Sequence, residues 1–262
     1  MHLYAQQFAS GNQTSQVVRE EQMIQHYYDT FAPFYDSYYE PIDVDIWAAL
    51  IQEKIESVAP TPRKILDVGC GTGSILQRLL SYPALSCIGI DISRQMLLQA
   101  RDKLTKASTE HRLIQSSVFA LGLQSNSFDV AIGVFGLLNL YSAAAHPILL
   151  AEIWRVLRPR GIFISDFATL VRYQQLSRER AETHHEEATF KIRSTLLDES
   201  NALEKKLTVP DRTVSKRVHF LDPAQVAAEF SAAQFEVIQM TSLVNALDLP
   251  KANRLMIIAR KP

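Results

Sequence analysis

Along this chain, short apolar runs alternate with stretches whose apolar positions recur every three to four residues. Lys64 to Val68 is a strand pattern, and Ser74 to Ser81 places Ile75, Leu76, Leu79 and Leu80 on one helical stripe. Leu85 to Ile90 reads as a second strand ended by Asp91, and Arg94 to Lys106 as a helix capped by Ser93. Strand patterns at Arg112 to Ser116 and Phe128 to Phe135 come next, then a helix at Pro147 to Leu157 and a strand at Gly161 to Phe167. Such alternation with short connections predicts an α/β fold with a parallel sheet covered on both faces. A ligand is expected at the carboxyl ends of the strands, near the point where strand order reverses.

The turn after the first strand carries the chemistry. Residues 65 to 73 read Ile-Leu-Asp-Val-Gly-Cys-Gly-Thr-Gly. Gly69, Gly71 and Gly73 lack a Cβ, so a ligand can lie against bare backbone there. A dinucleotide turn of the form Gly-x-Gly-x-x-Gly requires glycine at 74 or 76, where Ser74 and Leu76 stand.

The strand followed by acid-x-Gly-x-Gly-x-Gly instead resembles motif I of class I S-adenosylmethionine (SAM) dependent methyltransferases of the small-molecule type. Further stretches carry the same resemblance: Ser127-Phe128-Asp129-Val130 at the fourth strand, Glu152 to Asp166 at the helix, turn and fifth strand, and Phe220-Leu-Asp-Pro with Ala233-Gln-Phe-Glu-Val at the last helix and sixth strand. Leu255 to Arg260 is then the seventh strand. The resemblance implies a doubly wound, mostly parallel seven-strand sheet with an antiparallel last strand.

For the cofactor, the resemblance implies that Asp67, Gly69, Cys70, Gly71 and Gly73 line the methionine half of SAM. Asp91 is expected to accept hydrogen bonds from both ribose hydroxyls. Ile92, Met96, Ser117, Val118 and Phe135 extend the implied site. Two positions depart from the family pattern. Ser117 stands where many relatives have an acid that bonds the adenine amino group, and Gln234 replaces a glycine in the last turn.

Substrate residues are sought outside this core. Between Tyr27 and Tyr39 the chain holds Tyr27, Tyr28, Phe31, Phe34, Tyr35, Tyr38 and Tyr39, far denser than its 9% aromatic average. By resemblance this is an N-terminal helical cover, with Tyr27 meeting the acceptor and Tyr35 the cofactor. Residues 168–220 form an insertion too long for a plain loop. It reads as a polar helix from Gln174 to Glu187 followed by a three-stranded antiparallel β cap at Thr189 to Leu197, Leu203 to Val209 and Thr213 to Phe220. Alternation puts Val214, Val218 and Phe220 on one face of the last strand, with Arg217 and His219 on the other. Arg217 is a candidate anchor for an anionic substrate group. His219, His185 and Tyr27 are candidate bases, and Asn139 and Tyr141, after the fourth strand, are candidate substrate contacts. The His184-His185-Glu186-Glu187 run, read as helical, has poor geometry for a metal, and no metal site is expected.

Composition narrows the partners. At 262 residues and 47% hydrophobic content, the chain is expected to be a single methyltransferase domain. Its parts are a cover over residues 1–60, a SAM-binding core over 61–167, a cap over 168–220, and a C-terminal helix with two strands over 221–262. A formal charge of -1 gives no general attraction to nucleic acid. No window approaches the ~20 apolar residues that span a bilayer. With two cysteines and no leader pattern, the chain reads as cytoplasmic. The expected reaction is metal-independent transfer of a methyl group to an O or N atom of a small-molecule acceptor. C-methylation of a quinone-type ring and a non-catalytic SAM- or nucleotide-binding role are the alternatives. A homodimer through the cap is the candidate assembly.

Overall fold

The computed structural model describes residues 11–40, 42–58, 64–80, 86–105, 111–178, 183–187, 189–197, 200–243 and 254–262. Three helices lead the chain: α1 (Gly11–Phe31), α2 (Tyr35–Tyr39) and α3 (Val44–Val58). The core then runs β1 (Lys64–Val68), α4 (Ser74–Leu79), β2 (Ser86–Asp91), α5 (Arg94–Leu104), β3 (His111–Gln115), β4 (Phe128–Gly133), α6 (His146–Val156) and β5 (Leu157–Ala168). The expected ends of two of these elements, at Ser81 and Lys106, and the start of β2 at Leu85 lie outside the described residues. An insertion of α7 (Leu170–Arg178) and strands β6 (Thr183–Glu186), β7 (Lys191–Leu197), β8 (Ala202–Val209) and β9 (Arg212–His219) follows. The chain closes with α8 (Pro223–Ala232), β10 (Glu236–Ser242) and β11 (Arg254–Arg260).

Seven strands form one sheet in the order β10-β11-β5-β4-β1-β2-β3, in which β11 alone runs antiparallel to its neighbours. The near-continuous apolar strands are what a sheet buried on both faces demands. Period-2 alternation divides them between two cores. Ile65, Cys87, Val130, Ile132, Ile162 and Ile164 meet Trp47, Ile51 and Ile55 of α3 and Leu76 and Leu79 of α4. Leu66, Ile88, Ala131 and Phe163 meet Leu149 and Ile153 of α6 and Phe230 of α8. The order reverses between β1 and β4, so the turn after β1 opens onto the cleft at that switch point.

The insertion departs from expectation. It is a four-stranded sheet, β6-β7-β8-β9, and the stretch expected as a helix to Glu187 ends as a helix at Arg178 and resumes as β6. Residues 179–182 of that stretch, and 198–199 of the separator between cap strands, lie outside the described residues. Backbone pairing to β7, from Thr183↔Ser194 to Glu186↔Lys191, wins over the helical reading of a polar run. The cap's apolar face, Ile192, Leu207 and Val214, closes on Tyr27 and Phe31 of α1 together with Phe190. Cover and cap therefore share one aromatic core.

Gln234 takes φ +67, the left-handed conformation that its glycine-like position after α8 imposes. A side chain there costs about 1–2 kcal/mol, and glycine returns part of that gain as unfolded-chain entropy. Gln234→Gly is therefore expected to raise stability by about 0.5–1 kcal/mol, read as a higher urea midpoint; an unchanged or lower midpoint would contradict this.

Candidate active site

The turn after β1 passes through Gly69, Gly71 and Gly73 at φ +73, +53 and +75. The N–H groups of Gly69 and Cys70 both donate to the Ile90 carbonyl, at 2.7 and 2.9 Å, which ties the turn to the end of β2. The glycines serve different ends. A Cβ at Gly69 would come within 3.2 Å of Leu137, and one at Gly73 within 3.1 Å of the Ala100 Cβ, so these two let protein approach. At Gly71 a Cβ would meet no protein atom within 4 Å, so bare backbone here borders open space.

Two carboxylates face this cradle. Asp91 accepts from the Gly71 N–H at 2.9 Å through Oδ2 and from the Ser93 N–H at 2.8 Å through Oδ1, and each oxygen keeps capacity for a second bond. Burial raises its carboxyl to about 6, against the pull of those two N–H donors. Asp67 is 2% exposed, and no hydrogen bond reaches its carboxylate from the described residues. Burial first and the charge of Asp91 second raise it to about 7. Neither acid has an ion-pair partner among the described residues. A ligand with a fixed positive charge and vicinal hydroxyls supplies what both lack.

The cleft encloses about 890 Å³, its open mouth included. Its walls contain Asp67, Gly69, Cys70, Gly71, Asp91, Ile92, Met96, Val118, Phe135 and Tyr141, all singled out from the sequence. Tyr35 borders it from the cover, as do Ile24 and Tyr28. Polar contacts seat α1 and α2 on the cleft rim: Asp29 accepts from the Ser93 hydroxyl at 2.7 Å, and Asp36 from the Thr72 hydroxyl at 2.6 Å.

Other sequence candidates lie elsewhere. Gly73 sits outside the cleft wall, against α5. Ser117 also lies off it, donating to Glu21 at 2.5 Å and accepting from the Phe119 N–H, while Ser116 borders the cleft. Tyr27 is 1% exposed and turns into the aromatic core, because adjacent helical residues diverge by about 100°; its neighbour Tyr28 lines the cleft instead. Asn139 spends its amide on backbone, donating to the carbonyls of Ala168 and His219 and accepting from the Ala168 N–H, so it staples β5 to β9. The His219 ring nitrogen Nε2 lies 3.5 Å from Glu20. His185, on β6, stacks on Phe190 and contacts Glu187. Arg217 is exposed on β9. None of these last four borders the cleft.

A second cavity, about 1100 Å³ with its mouth, adjoins the first and shares Tyr28, Tyr35, Ser74 and Phe135 with it. Tyr39, Asp36, Asp43, Arg78 and Arg254 complete much of its wall. Arg254 is held from behind by the fully buried Asp166. The sequence marks Tyr28 and Tyr39 only as members of the aromatic cover, and nothing in it singles out Asp36, Asp43 or Arg254. Among the described residues no group of three or more His, Cys, Asp or Glu is placed to hold a metal, and no helix is long and apolar enough to cross a membrane.

Residues 65–161 match the family model of a methyltransferase domain. A demethylmenaquinone methyltransferase of Deinococcus radiodurans is 31% identical over 144 residues, which cover 53% of this chain and 58% of that enzyme. A SAM-dependent methyltransferase from Clostridium acetobutylicum superposes with a TM-score of 0.72 at 18% identity, over 89% of this chain and 98% of that one. A SAM-bound amino pentose methyltransferase from Micromonospora echinaspora gives 0.63 at 20% identity, over 87% and 96%. The chain thus carries a methyltransferase domain on the fold of SAM-dependent methyltransferases, and its cofactor is SAM.

The two acids are expected to give SAM binding a pH dependence. A cationic ligand prefers both ionised, so affinity is expected to rise between about pH 5.5 and pH 8, through the values near 6 and 7. Without ligand the sign reverses. Folded values above the unfolded one of about 3.9 mean that the folded state holds extra protons, so stability falls as pH rises from about 4 to 7. The melting-temperature increase produced by SAM should therefore be larger at pH 8 than at pH 5.5; an equal or smaller increase would contradict this assignment.

Proposed function

We propose that this enzyme methylates a nitrogen or oxygen atom of a small-molecule acceptor seated in the second cavity, by in-line displacement without a metal. The observation that carries this reading is the wall common to both cavities, where Tyr28, Tyr35 and Phe135 stand between cofactor and acceptor spaces. SAM, when bound, supplies a methyl carbon already activated by its sulfonium. The chain's task is then alignment and exclusion of water, an orientation effect of several kcal/mol. Gly71 backbone and Asp91 hold the cofactor, Asp67 faces its positive charge, and Tyr35 and Phe135 set the line of approach. Polar groups in the acceptor space, Tyr39 and Arg254 with the Asp36 and Asp43 carboxylates, suit a polar small molecule better than a nucleic-acid backbone.

C-methylation of a quinone-type ring is the second reading, favoured by the likeness to a demethylmenaquinone methyltransferase. The test is SAM turnover with panels of amines, hydroxy compounds and quinols, read as S-adenosylhomocysteine formed and as product mass. Products methylated at N or O support the first reading, and turnover confined to quinols the second. SAM binding with no product from any panel would overturn both.

A further inference from the structure

Lys216, on β9, is 3% exposed, and its surroundings are unusual for a lysine. No carboxylate lies within ion-pair distance of its Nζ among the described residues. Its one hydrogen-bond partner there is the Tyr28 hydroxyl, 2.5 Å away. The amine stands over the rings of Tyr28 and Tyr27, 4.1 and 4.8 Å from their centroids. Across the ladder Lys216 pairs directly with Lys205, whose own amine lies 5.7 Å from the Tyr38 ring centroid. Two like charges facing each other on one sheet face are unfavourable. Burial first, and the charge of Lys205 second, hold the Lys216 ammonium well below the usual lysine range. The other titratable groups acting on these two rings are Tyr38 and Tyr39 from α2 on Tyr27, and Tyr27, Tyr35, Tyr39 and Asp91 on Tyr28. Tyr28 in turn lines both cavities and feels the charge of Asp91.

We infer that Tyr28 and Lys216 form the proton-accepting pair of the methyl transfer, with Tyr28 meeting the acceptor and Lys216 receiving the proton behind it. This deepens the proposed reaction and rests on it. As the acceptor's lone pair forms its bond to the methyl carbon, the carbon–sulfur bond breaks and its electrons pass to sulfur. The acceptor proton moves to the Tyr28 oxygen while the Tyr28 hydroxyl proton moves to Lys216 Nζ. The sulfonium charge is thus replaced by an ammonium charge on Lys216, lying against the negative faces of two tyrosine rings. That ammonium returns its proton to solvent when the products leave.

The first test needs no acceptor. In full-length protein labelled with 13Cε-lysine, the NMR signal absent from Lys216→Met should titrate well below the ordinary lysine value of about 10.4. A signal that titrates at the ordinary value overturns the pair. The second test uses whichever panel acceptor is methylated. Lys216→Arg keeps charge and donors but cannot become neutral, so its kcat should fall about 100-fold or more, as expected for loss of general-base catalysis. SAM affinity by calorimetry and the melting temperature should both be retained. Turnover by Lys216→Arg near the parent rate would reduce Lys216 to a positioning residue and overturn the proposal. If no acceptor is methylated, the proposed function fails on its own terms while the titration still decides the state of Lys216.

Discussion

Asp91→Ala is expected to weaken SAM binding by about 100-fold. Each hydrogen bond from a ribose hydroxyl to a buried carboxylate contributes about 1.5–3 kcal/mol, and every 1.4 kcal/mol is tenfold in affinity. Two such bonds at the lower end of that range sum to about 3 kcal/mol, hence about 100-fold. The substitution also leaves the N–H groups of Gly71 and Ser93 without their acceptor, so the cradle itself loosens. Asp91→Asn separates the two effects, because its amide oxygen can keep one of these N–H bonds while the charge is gone. Calorimetric titration reads the affinity and circular dichroism the fold. Unchanged affinity in a folded Asp91→Ala protein would remove Asp91 from the cofactor site.

Phe31→Ala is expected to cost about 3–5 kcal/mol of stability, the range for a large aromatic removed from a core. Phe31 is 1% exposed at the junction of cover and cap, with the rings of Tyr27, Tyr35, Tyr38, Tyr39 and Phe190 all within 6.4 Å of its own. Its loss opens a cavity among side chains that position Tyr28 and Tyr35, so SAM affinity should fall as well, although Phe31 does not border the cleft. Urea unfolding measures the first effect and calorimetry the second. A cost below about 1 kcal/mol, too small for a buried aromatic, would show that cover and cap do not share a core.

The sheet was readable in the sequence because its signal is local. Lys64–Val68, followed by three glycines and an amphipathic helix, has one physical solution, and the same holds for β2 ending at Asp91. The cap was harder to read. β6 consists of Thr183, His184, His185 and Glu186, whose polar side chains give no alternation, and its strand character comes from pairing with β7. Tyr27 and Tyr28 illustrate a different limit. Composition marks both as site-like, but only the docking of α1 against β9 decides which ring faces the cleft and which the core. Lys216 was within reach, since it shares the even-numbered face of β9 with Val214 and Val218. A lysine on an apolar stripe is a signal that the apolar pattern itself conceals.

The contacts from α1 that hold the cleft rim, Asp29 to Ser93 and Glu21 to Ser117, join residues 64 and 96 positions apart. No periodicity reveals such pairs. They place an acid beside Ser117, the position where the sequence pattern lacks one, and they make the cover part of the cleft's electrostatics.

Calorimetric titration of the full chain with SAM, S-adenosylhomocysteine and NAD in parallel tests the central claim most directly. Binding of SAM and S-adenosylhomocysteine at micromolar concentration, with no heat from NAD, is the result that the glycine cradle and its two acids require. Binding of NAD, or of none of the three, would contradict the account.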